Sequence, residues 1–72
     1  MSQKELDFFC KNVVKLRQER GFTKKKMAAK LGISIATLTK IERGTVPPRT
    51  GVEILYRIHN EFGVLPSELF EE

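Results

Sequence analysis

Three consecutive lysines, Lys24-Lys25-Lys26, follow Thr23 where a helix is expected to begin. The first turn of a helix carries unpaired N–H groups and partial positive charge, so it favours Asp and Glu. Three cations there oppose that field, at roughly a few tenths of a kcal/mol each after screening. The arrangement makes physical sense where a phosphate docks, because N–H and ammonium groups then converge on one anion. The candidate phosphate contacts are Thr23, Lys24, Lys25, Arg43 and Arg49, with Lys24 foremost; Lys25 and Lys26 can also act through field alone. Covalent chemistry has no comparable signal. Cys10 and His59 are the lone members of their types, and no paired carboxylate, Ser/His/Asp or Cys/His grouping accompanies them. The expectation is a protein that is not an enzyme and uses no cofactor and no metal.

A second constellation joins two opposite charges. Arg17 sits within an apolar stripe of Leu6, Phe9, Cys10, Val13 and Leu16. On a helical wheel Glu42 projects about 40° from the inward Leu38. Two opposite charges aimed at one interior are reconciled by pairing with each other. Arg17 and Glu42 are therefore expected to form a structural ion pair.

The composition bounds what these groups can belong to. Seventy-two residues suffice for one small core. With 40% hydrophobic and 31% charged residues, disorder and low-complexity filler are excluded. No apolar run reaches the ~18 residues of a membrane span. A polar start over Ser2 to Asp7 and a single cysteine point to a reducing, cytoplasmic setting. The net charge of +4 is unevenly spread. Residues 11–49 hold eleven basic and two acidic residues, whereas residues 50–72 hold Arg57 against five glutamates. Such a basic block suits a polyanionic partner.

Punctuation and period predict five short helices and no strand. Ser2-Gln3-Lys4-Glu5 reads as a capping box opening a helix over about 3–20, ended at Gly21. Thr23 and Ser34 are N-cap candidates for helices over about 24–31 and 34–43, which Gly32 and Gly44 stop. Thr50-Gly51-Val52-Glu53 reads as a second capping box, opening a helix that ends at Gly63. Pro66 suits the first position of a last turn, Pro66 to Phe70. The expectation is one all-α domain over residues 1–72, a compact five-helix bundle.

The two central helices are separated by Gly32 and Ile33 alone. A turn this tight makes them cross steeply, as in a helix-turn-helix over about 24–43. Ala28 is small where the backbones approach, and Gly32 can take positive φ. On the second of these helices Ala36, Thr39, Lys40 and Arg43 lie opposite Leu38 and Ile41, with Ile35 on the flank.

The run Gly21 to Gly44, with Ala28, Gly32, Leu38, Ile41, Glu42 and Gly44 at these spacings, resembles the Cro-type phage repressor or xenobiotic-response-element family. The likeness extends back to Val13 and forward to Phe70. It implies a lambda-repressor-like DNA-binding domain whose second motif helix reads the major groove of double-stranded DNA. The family's base-contacting positions fall on Ser34, Ile35, Ala36, Thr39 and Lys40. Phage repressors often carry amides at the positions of Ile35 and Ala36; these two side chains can only pack against a thymine methyl. The resemblance also implies the Arg17–Glu42 bridge. The function expected is transcriptional regulation, as a repressor binding a palindromic operator as a homodimer. The acidic, apolar C-terminal part offers Val64, Leu65, Pro66, Leu69 and Phe70 for that dimer. An alternative is a protein-interaction module of the same fold, such as an antitoxin or an adaptor docking a protein partner through Ile35 and Phe8.

Overall fold

The computed structural model describes residues 3–47 and 49–71. Five helices follow in order: α1 (Gln3–Glu19), α2 (Lys24–Leu31), α3 (Ile35–Glu42), α4 (Thr50–Phe62) and α5 (Pro66–Leu69). No strand occurs among the described residues.

The caps explain why α2 and α3 begin where they do. Thr23 and Ser34 both adopt extended backbone, and their hydroxyl oxygens accept from the N–H groups of Lys26 and Thr37. Each cap satisfies one donor that the helix cannot. Between the two helices, Gly32 takes a left-handed φ of +70° and its N–H reaches the carbonyls of Ala28 and Ala29. Ile33 N–H then closes back onto Ala28 O at 3.0 Å. Three residues thus turn the chain from α2 into α3. A side chain at Gly32 would hold its residue at a disfavoured φ, and its Cβ would stand 3.2 Å from the flexible, exposed Arg57 guanidinium of α4.

One apolar cluster holds all five helices. Phe9, Cys10, Val13 and Leu16 of α1 meet Met27, Ala28 and Leu31 of α2, Leu38 and Ile41 of α3, Ile54 and Ile58 of α4, and Leu69 of α5. Burial of each large member contributes roughly 1.5–3 kcal/mol. α1 packs on α3 and α5, and α2 packs on α3 and α4. The last helix is too short to hold itself. The Asn12 amide secures its end by donating to Leu69 O and Glu71 O, both at 2.7 Å. The rings of Phe9 and Phe70 stack with centroids 5.7 Å apart.

Several local expectations change. Ser2, the first residue of the expected opening box, lies outside the described residues. The Thr50 box does not form: the residue capping α4 is Arg49, with φ +70° and no side-chain cap hydrogen bond. The chain leaves the proline segment through a left-handed residue, which puts Thr50 one position inside the helix. From there Thr50 no longer holds the N-cap position that a capping box requires. Leu69, expected at a subunit surface, is 2% exposed and belongs to the chain's own core.

Gly32→Ala should lower stability by about 1–2 kcal/mol, the cost of a left-handed L-residue. A thermal melt reads this as a fall of roughly 4–8 °C per kcal/mol in a chain of this size.

Candidate nucleic-acid interface

The site is built outward from its anchor. Arg17 reaches α3 from α1 with both edges of its guanidinium. Nε donates to Glu42 Oε2 at 2.7 Å and Nη2 donates to Oε1 at 3.1 Å. Nη1 donates to the Phe22 carbonyl at 3.2 Å. The two side chains are only 17% and 9% exposed, so water screens the pair weakly. One planar group therefore fixes α1, the loop before α2 and the last turn of α3.

With its inner side held by Glu42, Leu38 and Ile41, α3 turns an open face outward. Ser34, Ala36 and Lys40 are exposed, Thr39 is half-buried, and Ile35 is 47% exposed. These are the five positions expected to meet base edges: Ser34 is the cap, and the other four lie along the helix from its flank to its outer side. The face is narrow and slight, with a single long cation at its far end. It fits a groove about 12 Å wide. The Ser34 hydroxyl also donates to Thr37 Oγ1 at 2.9 Å, so its proton is committed within the helix.

The phosphate candidates occupy two places. Thr23, Lys24 and Lys25 are exposed at the start of α2. Lys26 departs from them: its ammonium lies 4.6 Å from the centre of the Phe22 ring. That contact draws one of the three charges off the helix end and onto an aromatic face. Arg43, the residue capping α3, borders Asp7, Lys11 and Val14. Arg49 borders an apolar groove of about 250 Å³ formed by Leu6, Phe9, Val46, Leu55 and Phe70. Arg43 and Arg49 thus belong to the end of α3 and the loop after it.

Two helices joined by a three-residue turn, caps at Thr23 and Ser34, and an arginine–glutamate anchor behind the second helix occur together. A family model described as HTH_3, Helix-turn-helix, matches residues 13–69, most of the chain. The chain belongs to this helix-turn-helix family. No curated protein and no solved structure gives a match. The family is one of DNA-binding regulators of the xenobiotic-response-element type, and this helix-turn-helix is a DNA-binding regulator.

The helix-turn-helix leaves other groups aside. Cys10 is buried in the core, and burial, with the Asp7 carboxylate second, pushes its thiol pKa up. That disfavours the reactive thiolate. Among the described residues no three His, Cys, Asp or Glu side chains are placed to hold a metal, and no helix is long and apolar enough to cross a membrane. Of the expected subunit surface, Leu65 and Pro66 are exposed, while Val64 and Phe70 are half-buried against the core. Val52, 75% exposed, was overlooked there, and Tyr56, a residue able to pack or to contact a partner, is 67% exposed one turn along α4. The signal for Val52 was available, because it lies off the Ile54–Ile58 stripe. Arg57 was overlooked for another reason, since nothing in its local pattern points to Gly32, twenty-five positions earlier.

Glu42→Ala leaves Arg17 short of two partners in a poorly solvated place. The expected loss is about 2–4 kcal/mol, between a charge-assisted hydrogen bond and a fully buried pair. Chemical denaturation measures it, and a loss below ~1 kcal/mol would show that water screens the pair after all.

Proposed function

We propose that the protein is a sequence-specific transcriptional repressor that binds a palindromic operator in double-stranded DNA as a homodimer. The observation that carries this reading is the pairing of two features: an outward α3 face of small side chains braced from behind by Glu42, and an exposed, lysine-lined start of α2. In this reading Thr23, Lys24 and Lys25 meet the backbone of one strand. Arg43 and Arg49 meet the backbone again beyond the far end of α3. Base edges fall to Ser34, Ile35, Ala36, Thr39 and Lys40.

One module of this size reaches a single half-site. A second copy on a two-fold axis supplies the other, about one helical turn away. The surface proposed for self-association comprises Leu65, Pro66 and the open edges of Val64 and Phe70. Val52 extends it across the groove that it shares with Phe70. The acidic C-terminal half places this surface within a part of the chain that phosphates repel, which keeps it free for another subunit. Repression follows from occupancy: a bound dimer excludes other proteins from the operator.

The reading as a protein-interaction module rests on the exposure of Ile35. It draws less support, because Ala36, Thr39 and Lys40 around it do not extend an apolar patch.

A gel shift against random-sequence DNA at low and at high salt separates the two readings. DNA binding that weakens steeply with salt is expected; no binding at low salt would leave the interaction module. Lys24→Ala should lower affinity for every sequence alike and reduce the salt slope by about one. An unchanged slope would remove Lys24 from the phosphate contacts. Leu65→Asp should shift the sedimentation equilibrium toward monomer while leaving the melting temperature nearly unmoved, since Leu65 is exposed.

A further inference from the structure

At Ser34, Ile35 and Ala36 the start of α3 offers no free side-chain hydrogen-bond donor; the Thr37 hydroxyl, half-buried, accepts from Ser34. Ser34 directs its hydroxyl proton to Thr37 Oγ1, 2.9 Å away, while its oxygen accepts from Thr37 N–H. What Ser34 still presents is a lone pair. Ile35 and Ala36 present only methyl and methylene groups, and both are exposed. Further along the helix stand the half-buried Thr39 hydroxyl and the exposed Lys40 ammonium.

This distribution discriminates between base pairs. In the major groove guanine shows two acceptors, N7 and O6. Pressed against Ile35, those acceptors lose water and receive no donor in exchange, which is penalised. Thymine presents a 5-methyl group that gains by the same contact, and its adenine partner presents an N6 amino group that a lone pair such as that of Ser34 can accept. Lys40, about 7.5 Å along the helix and about 140° around it from Ile35, carries a donor suited to guanine or a phosphate.

Resting on the DNA-binding reading above, we infer that Ile35 is a specificity-determining residue that reads a thymine 5-methyl group. The half-site therefore carries thymine beneath the first turn of α3. Recognition by shape and methyl contact replaces the bidentate amide pairing that the two residue types exclude.

The test exchanges the methyl alone. A bound sequence is first selected from a random duplex pool, and each thymine is then replaced singly by deoxyuridine, which keeps every hydrogen-bonding group. Binding is followed by fluorescence anisotropy. In the wild type at least one replacement should weaken binding about fourfold, the worth of one buried methyl. In Ile35→Ala that same replacement should have no effect, while circular dichroism shows the helices intact. If wild-type binding is indifferent to every replacement, or the selected half-site places guanine at the Ile35 position, methyl readout is overturned while DNA binding stands. If the deoxyuridine penalty persists in Ile35→Ala, the assignment to Ile35 is overturned. If neither random nor selected DNA binds at low salt, the DNA-binding reading fails, and this inference with it.

Discussion

The guanidinium of Arg17 joins three segments behind the outward face of α3: α1, the loop before α2 and the last turn of α3. Two parallel bonds to the Glu42 carboxylate fix both the distance and the roll of α3, because a planar fork tolerates little rotation. A lysine would supply the charge but not the plane. The third bond, to the Phe22 carbonyl, ties in the loop that delivers Thr23 and the lysines. The start of α2, proposed to face phosphates, and the outer side of α3, proposed to face bases, are thus referred to one side chain on α1. Leu38 and Ile41 support the same geometry through packing, but apolar contacts alone permit small rolls of a helix that the fork does not.

The helix that carries the lysines is stabilised by means other than acidic residues. Thr23 satisfies the Lys26 N–H, and Lys26 itself folds back onto Phe22, whose ring also lies 6.0 Å from that of Phe62. Arg20 covers the Phe62 ring at 5.2 Å. Two cations of the basic block are therefore engaged with aromatic faces, and the field at the end of α2 comes chiefly from Lys24 and Lys25. A tally of charges along the chain cannot distinguish these roles. A lysine bound to a ring and a lysine open to solvent count equally in it.

The boundaries of α2 and α3 were legible because their determinants are local. Thr23, Gly32 and Ser34 act within four residues of themselves, and each acts as its type suggests. The Arg17–Glu42 pair was legible because two misfit charges on two apolar stripes constrain each other. Arg49 was not legible. Its left-handed backbone is imposed by the connection between α3 and α4, and no side-chain preference announces it. Leu69 was misplaced because a four-residue helix has no periodicity from which to tell its inner face from its outer one. Asn12, which holds that helix from α1, lies fifty-seven residues from its Leu69 acceptor. The base-facing positions came from family likeness, and the commitment of the Ser34 proton to Thr37 needed coordinates.

The Gly32 turn is confined by its own hydrogen bonds to α2 and has the Arg57 guanidinium beside it. A recognition helix entered through such a turn has little slack to take up when it meets a ligand. Adjustment on complex formation then falls to the nucleic acid, through groove width and base-step flexibility. The calorimetric consequence is a heat-capacity change close to that of burying two rigid surfaces, without the excess contributed when a segment folds as it binds.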